Sequence, residues 1–201
     1  MFSRTEIYQM FAIVEANKDA PGEWEIEHAY GYRTSDCQQN LRYNANGEAV
    51  YMTAALGVVM NTDTCEQKFF GGKKVKMSHR NDGDDLDYHR DDIISIDIST
   101  DRKTVVTGET GAKPKVCVWN AETGEPIMHY ELAAGSRGIS AISISPCGRY
   151  VATADLHNDH RVTVYNIQRQ KQLLQMNGAT DRIFDVCWSK RPDDLRFATG
   201  T

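Results

Sequence analysis

"DDIISIDISTDRKTVVTGETGAKPKVCVWNAETGEPIMHYEL" (91–132) is the stretch of the sequence that decides the fold. Its short apolar runs alternate with polar residues and are separated by turn residues, a pattern typical of antiparallel strands. A related stretch, "GISAISISPCGRYVATADLHNDHRVTVYNIQRQKQLLQM" (138–176), follows it, and "DRIFDVCWSKRPDDLRFATGT" (181–201) matches the first half of the same pattern. The chain therefore contains an internal repeat.

Isoleucines open the repeated units and set their length. Ile139 follows Ile93 by 46 residues, and Ile183 follows Ile139 by 44 residues. Units of this length with four strand-like runs are typical of the blades of a β-propeller. A single four-stranded sheet leaves an apolar face exposed, so we expect the units to stack around an axis.

The fold class that follows is all-β, an atypical repeat propeller that is incomplete in this chain. The chain offers about three and a half units where propellers have roughly 4–8. We expect it to be a fragment of a longer protein; the alternative is a chain whose open edges a second chain covers.

Two features upstream of the repeat differ from it. "SRTEIYQMFAIVEAN" (3–17) has Ser3 and Glu6 in capping-box spacing and apolar residues at helical spacing, which predicts a short N-terminal amphipathic helix. Asn46-Gly47 lies between two strand-like runs and predicts a hairpin with a type I′ turn.

Composition excludes several classes of function. The net charge of -5 and the absence of a basic cluster large enough for a nucleic acid argue against nucleic-acid binding. No apolar run reaches the ~18 residues that cross a bilayer, so we expect no membrane partner. The five cysteines form no CxxC pair, which favours a reducing compartment such as the cytoplasm.

Catalytic and metal-binding patterns are weak, and we expect no enzyme, no cofactor and no metal. "GSRGIS" (135–140) has the wrong spacing for a nucleophile elbow. Cys37 has His28 and Asp36 nearby in sequence, but a structural cysteine is the simpler interpretation. We interpret Cys117, Cys147 and Cys187 as packing residues. "DGDDLDYHRDD" (82–92) lacks the EF-hand arrangement, and the group His157, Asp159 and His160 lacks a second cluster with zinc-like spacing.

"HAYGYRTSDCQQN" (28–40), together with the tryptophan before it and the "GE-VY" hairpin after it, resembles the HELP motif of the echinoderm microtubule-associated protein-like (EML) family. The units that follow resemble the WD repeats of the same family. The matching residues that we expect to be structural are Trp24, Tyr30, Gly31, Tyr32, Arg33, Asp36 and Asn40.

The resemblance implies a propeller that includes the HELP motif, and a scaffold that binds tubulin and microtubules in the cytoplasmic cytoskeleton. The alternative is a general WD-repeat scaffold for other proteins, without direct tubulin contact. The expected segments are a helical segment (1–22), the HELP motif with a first blade-like unit (23–70), a charged loop (71–92), two WD repeats (93–132 and 133–176) and the start of a truncated WD repeat (177–201).

WD repeats often carry a His–Ser/Thr–Asp–Trp hydrogen-bond network, and the resemblance implies an incomplete one here. In the second unit, His89, Thr107 and Trp119 match, but the hairpin "GETGAKPK" (108–115) contains no Asp. In the third unit, no His matches. Its candidate members are Thr153, Tyr165 in place of Trp, and either Asp155 or Asp159.

Two further expectations concern the HELP motif and the charged loop. Gly31 permits a turn between two aromatic anchors, and Arg33 and Asp36 satisfy buried backbone groups or each other. "KKVKMSHR" (73–80) is the candidate contact with tubulin, whose surface and tails are acidic, through Lys73, Lys74, Lys76 and Arg80. The alternative for this loop is a solvated segment whose acidic second half neutralises the basic first half.

Overall fold

The computed structural model describes residues 26–37, 39–72, 87–191 and 193–201. Within these residues the chain forms fourteen β-strands and no helix. The strands are β1 (Leu41–Tyr43), β2 (Ala49–Thr53), β3 (Leu56–Met60), β4 (Gln67–Phe70), β5 (Ile93–Ile98), β6 (Thr104–Glu109), β7 (Lys115–Asn120), β8 (Pro126–Glu131), β9 (Ile139–Ile144), β10 (Tyr150–Asp155), β11 (Val162–Asn166), β12 (Lys171–Met176), β13 (Asp185–Trp188) and β14 (Phe197–Gly200). The all-β prediction is confirmed. The predicted helix at 3–17 lies outside the described residues.

The strands form four antiparallel sheets that follow one another along the chain. The first sheet has the order β1-β2-β3-β4, the second β5-β6-β7-β8, and the third β9-β10-β11-β12, while the fourth contains β13 and β14. Neighbours in each sheet are also neighbours in sequence, because tight turns suffice to join antiparallel strands. The repeat read from the sequence therefore corresponds to one sheet per unit.

Alternation along each strand places apolar side chains on both faces of a sheet. In β2, Val50 and Met52 face the second sheet, whereas Ala49 and Tyr51 belong to a separate cluster on the opposite face. Three apolar layers fill the spaces between successive sheets. Their larger members are Val50, Met52, Phe70, Ile93, Ile96, Val105 and Trp119 in the first layer, Val116, Tyr130, Ile139, Ile142 and Tyr165 in the second, and Val162, Ile183, Val186 and Trp188 in the third.

Aromatic stacking marks the first two of these layers. Phe70 of β4 lies flat on Trp119 of β7, with ring centroids 5.1 Å apart and planes within 3°. Tyr130 of β8 lies on Tyr165 of β11 at 4.3 Å. Trp119 is fully buried. Such pairs contribute about 0.5–1.5 kcal/mol beyond the burial of their surface, so they favour one register between neighbouring sheets.

A carboxylate joins the first strands of three consecutive sheets. Asp97 of β5 accepts hydrogen bonds from Arg42 Nε at 3.3 Å, from Ser143 Oγ at 3.0 Å and from the backbone N–H of Ile144 at 3.0 Å. Trp188 Nε1 then donates to the carbonyl of Ser143 at 3.0 Å. The first strands thus lie side by side, as the inner strands of a propeller do.

The strand directions divide the connections between two ends of the sheets. We call upper face the end that carries the connections β2–β3, β4–β5, β6–β7, β8–β9, β10–β11 and β12–β13, and lower face the end that carries the others. The connection that contains the predicted basic loop in sequence leaves β4 and enters β5 at the upper face.

The predicted hairpin at Asn46-Gly47 forms between β1 and β2, but its turn differs from the prediction. Only Gly47 of the two has a positive φ, 78°, whereas a type I′ turn requires both. Asn44 instead organises a longer loop, since its side-chain oxygen accepts from the N–H groups of Asn46 and Glu48. The type I′ assignment was wrong because the side chain of a neighbouring residue closes the loop.

Gly57 supplies a test of the packing between the first two sheets. A Cβ at Gly57 would lie 2.7 Å from Trp119 Cζ2 and 3.2 Å from Phe70 Cβ. We expect Gly57→Ala to lower the free energy of unfolding by about 1–3 kcal/mol, because the buried Trp119 has no free space to move into. Chemical denaturation measures the loss. Gly200→Ala, whose nearest neighbour would be 3.9 Å away, is the control; an equal loss in both variants would contradict the packing argument.

Candidate functional site

The 28–40 segment covers the face of the first sheet that points away from the second. Tyr32 packs edge-on against Tyr51 with ring centroids 5.9 Å apart, and its hydroxyl donates to Asn40 Oδ1. Gln67 Nε2 donates to the hydroxyl of Tyr51 at 3.0 Å. The outward apolar cluster of the first sheet is therefore packed against this segment.

Arg33 connects this segment to the second sheet. Its Nε donates to Asp36 Oδ1 at 2.8 Å, and its Nη1 lies 2.8 Å from Asp92 Oδ2, just before β5. These partners raise the pKa of Arg33 against the opposing effect of burial, and the hydrogen bond from Arg33 lowers the pKa of Asp36 below its ordinary value. The carbonyl of Arg33 accepts from Asn40 Nδ2 and from Cys37 Sγ. Arg33 and Asp36 thus satisfy each other, one of the two expected arrangements.

The backbone of Gly31 agrees with the expected need for glycine, whereas the side chain of Tyr30 does not pack as expected. Gly31 has a φ of 111°, which an L side chain rarely adopts, so its backbone conformation requires glycine. Tyr30 is not the second aromatic anchor that the sequence suggested, because it is 88% exposed. Only Tyr32 of the pair packs on the sheet. Trp24 lies outside the described residues.

A buried chain of hydrogen bonds locks the second sheet. Trp119 Nε1 donates to Thr107 Oγ1 at 3.1 Å, and Thr107 Oγ1 lies 2.7 Å from His89 Nε2. His89 Nδ1 lies 3.1 Å from Glu109 Oε2. A neutral His89 with its proton on Nδ1 satisfies every member, since it donates to Glu109 and accepts from Thr107. The structure thus brings together the three residues named from the sequence.

Glu109 is the member that sequence reasoning missed. It lies in the hairpin that contains no Asp, it is buried, and its carboxylate also accepts from the backbone N–H groups of Arg90, Asp91 and Lys115. Burial alone would raise the pKa of Glu109, but His89 and the N–H groups of Arg90 and Asp91 lower it. A signal was present: Glu109 occupies the position that Asp155 has one repeat later.

In the third sheet an arginine pairs with the buried carboxylate, although it does not occupy the position of the histidine. Asp155 Oδ2 accepts from Arg161 Nε at 2.9 Å, and Asp155 Oδ1 accepts from the backbone N–H of Arg161 at 2.9 Å. Of the two candidates, Asp155 is therefore the one in the buried hydrogen-bond network of the third sheet. Asp159 is exposed beside His157. Arg161 occupies the same position in its unit as Lys115 does in the second.

Thr153 and Tyr165 do not repeat the Thr107–Trp119 contact. Thr153 Oγ1 lies 3.4 Å from the carbonyl of Thr163, and the Tyr165 ring packs on Tyr130. Burial raises the pKa of Tyr165 to about 12. Tyr165 therefore contributes packing at a position where Trp119 contributes both packing and a hydrogen bond.

Of the three cysteines that we interpreted as packing residues, only Cys117 is buried. Cys117 is buried, which raises the pKa of its thiol, but Cys187 is exposed and Cys147 is half-buried in a turn. The packing interpretation was thus wrong for Cys187, because it lies on the open side of its strand. Across the described ranges, no group of three His, Cys, Asp or Glu residues has the arrangement of a metal site.

The basic residues Lys73, Lys74, Lys76 and Arg80 lie outside the described residues. Other cations of the upper face lie among the described residues. Lys113 and Arg137 are exposed there, and Arg137 Nε donates to the carbonyl of Leu156 at 3.2 Å. No helix in the described part of the chain is long and apolar enough to cross a membrane.

Comparison with known proteins agrees with this geometry. Residues 21–58 match the family model described as "HELP motif", and residues 124–166 match "WD domain, G-beta repeat". The chain carries a HELP motif and a WD repeat. The HELP match includes the segment that covers the first sheet, and the WD match runs from β8 into β11. The predicted WD-repeat fold is confirmed.

Similar curated proteins include a ciliary WD repeat-containing protein, ctxp80, of Euplotoides octocarinatus, 39% identical over 92% of this chain and 26% of that protein. The 77 kDa echinoderm microtubule-associated protein of Strongylocentrotus purpuratus is 28% identical over 85% of this chain and 24% of its own length. Echinoderm microtubule-associated protein-like 1 of Rattus norvegicus is 25% identical over 85% and 20%. The resemblance to EML proteins is confirmed, and the HELP–WD chain spans about a quarter or less of these relatives.

Arg33 supplies a test of the contacts that join the 28–40 segment to the second sheet. We expect Arg33→Ala to lower the free energy of unfolding by about 1–2 kcal/mol, because Asp36 and Asp92 lose their shared partner in a half-buried setting. Thermal and chemical denaturation measure this. Arg196→Ala removes an ion pair with Asp194 in which the arginine is 84% exposed, and it is the control with little expected loss. A stable Arg33→Ala protein that has lost a binding activity would contradict a structural role.

The His89–Glu109 pair predicts loss of stability at acidic pH. Burial lowers the pKa of His89 from its ordinary 6.5, so below that pH the unfolded chain takes up a proton that the folded chain resists. The lowered pKa of Glu109 acts in the same direction, since its contribution is present above 4.5 and is lost as the pH falls further. We expect the free energy of unfolding to fall between pH 7 and pH 5, and to fall less in His89→Gln.

Denaturant titrations at several pH values check this prediction. His129→Gln, a change at a histidine that is partly exposed beside Asp87, is the matched control and should leave the pH dependence close to that of the unmodified protein. Identical pH profiles for His89→Gln and the unmodified chain would show that His89 is not the group that titrates.

Proposed function

We propose that the HELP–WD chain is part of a non-enzymatic cytoskeletal scaffold that binds tubulin or microtubules in the cytoplasm. The observation that carries the proposal is the HELP motif joined to a WD repeat, in a chain that is similar over 85% of its length to proteins named as microtubule-associated. The buried His89 and Glu109 serve to lock a sheet, which leaves them unavailable to a substrate. The site that we propose is a surface of loops.

The upper face is the surface that we propose for tubulin. Lys73, Lys74 and Lys76 belong in sequence to the connection between β4 and β5, which leaves β4 and enters β5 at the end of the sheets that also exposes Lys113 and Arg137. Tubulin is acidic, so cations gathered on one face steer association and hold the complex through charge attraction. Such attraction weakens as salt shortens the Debye length, which is about 8 Å at physiological ionic strength.

The second candidate is a WD-repeat scaffold that binds other proteins and has no direct contact with tubulin. The net charge of -5 favours it, because an acidic protein is repelled by an acidic partner unless its cations are concentrated on the contact surface. The two candidates differ in whether the cations of the upper face contribute to microtubule binding.

Co-sedimentation with microtubules tests the choice. We expect the triple variant Lys73→Glu, Lys74→Glu, Lys76→Glu to bind at least about threefold more weakly than the unmodified chain in low salt. The difference should shrink in high salt and on microtubules whose acidic tails have been removed by proteolysis.

The matched control reverses three exposed cations of the lower face, Lys103, Arg169 and Lys171. It changes the net charge by the same amount, so it separates a local contact from a general effect of charge. Equal weakening in both triple variants, or none in either, would reject the upper face as the tubulin contact and favour the second candidate.

A further inference from the structure

Tyr30 is an exposed aromatic side chain on a backbone that is fixed on both sides. On one side, Ala29 N–H donates to Gln67 Oε1 at 2.8 Å and Gln67 Nε2 donates to the Ala29 carbonyl at 3.2 Å. On the other side, Arg33 N–H donates to the carbonyl of Met52 at 3.2 Å. The tyrosine itself is 88% exposed. A partner that contacts Tyr30 therefore orders one side chain and no backbone, which keeps the entropic cost of binding small.

His28 shapes the aromatic surface. Its ring lies 4.6 Å from the ring of Tyr30 with the planes inclined by 52°. The contact limits the motion of the tyrosine and leaves most of its ring open to solvent. Preordered tyrosines of this kind are frequent among the residues that dominate protein interfaces.

Among the described residues, two exposed carboxylates lie close in sequence either to Tyr30 or to the glutamine that holds its backbone. Glu27 is exposed three residues before Tyr30, and the exposed Glu66 directly precedes Gln67, which holds Ala29. The nearby cation, Arg33, is already paired with two carboxylates. An aromatic face with exposed carboxylates nearby suits a cation, and a guanidinium suits it best, because its plane stacks on a ring while its N–H groups bind a carboxylate.

The same contact occurs twice within the chain. The guanidinium of Arg149 lies 5.7 Å from the ring centroid of Tyr150, and that of Arg182 lies 5.3 Å from the ring centroid of Phe184. Within the described residues no arginine or lysine covers Tyr30 in this way. From the open ring and the exposed carboxylates nearby, we infer that Tyr30, with Glu27 and His28, forms a docking surface for an arginine-rich segment of a protein partner.

This surface differs from the proposed tubulin contact in charge. Tubulin offers carboxylates to the cations of the upper face, whereas the partner of Tyr30 offers guanidinium groups to an acidic, aromatic surface on the free side of the first sheet. A variant at Tyr30 should therefore leave microtubule co-sedimentation unchanged.

Fluorescence anisotropy with a labelled hexa-arginine peptide tests the inference on the full chain. We expect binding in low salt, weakened about three- to fivefold in Tyr30→Leu, which removes the ring but keeps an apolar side chain. Tyr30→Phe keeps the ring and should stay within about twofold of the unmodified chain, while Glu27→Gln should weaken binding about twofold. A hexa-lysine peptide should bind more weakly than hexa-arginine.

Tyr43→Leu is the matched control, since Tyr43 lies in β1 of the first sheet and is also exposed, at 49%. Circular dichroism and thermal melts verify that each variant is folded. The inference is overturned if the unmodified chain does not bind hexa-arginine, if Tyr30→Leu binds as well as the unmodified chain, or if Tyr43→Leu weakens binding as much as Tyr30→Leu.

Discussion

Burial of both faces of the first three sheets is the constraint on which this structure depends. Alternation along the strands makes both faces apolar, so each sheet requires a neighbour on either side. Phe70 on Trp119 and Tyr130 on Tyr165 meet this requirement between the first three sheets. The first sheet has no preceding sheet among the described residues. The 28–40 segment of the HELP motif covers its outward face instead. The segment that stands out in the sequence is thus explained by the same requirement as the repeats.

Much of the fold follows from the sequence because it depends on short-range patterns. Period-two alternation and a recurrence of about 46 residues identify the strands and the sheets. The three residues His89, Thr107 and Trp119 were also predictable, since each occupies a fixed position in its unit. Glu109 was not predicted, because a search for Asp in the hairpin overlooks a carboxylate that is one methylene longer and still reaches the histidine.

The details of the HELP segment were less accessible from sequence. Gly31 has the positive φ that favours glycine, but the different environments of Tyr30 and Tyr32 were not foreseen. In a strand, neighbouring sheet hydrogen bonds determine which way each side chain points. The described residues of the 28–40 segment contain no strand, so contacts distant in sequence, such as those of Gln67 with Ala29 and Tyr51, determine their orientation.

The buried, hydrogen-bonded carboxylates of Glu109 and Asp155 have a consequence for how such repeats are detected in sequences. In one sheet a carboxylate at Glu109 precedes a lysine at Lys115, and in the next Asp155 precedes Arg161 at the same separation of six residues. The histidine and the tryptophan differ between the two units, yet the acid–base spacing persists with its hydrogen bond to the backbone. A search profile built on an acidic residue followed six positions later by a basic one would therefore retrieve divergent units that a profile weighted toward His and Trp overlooks.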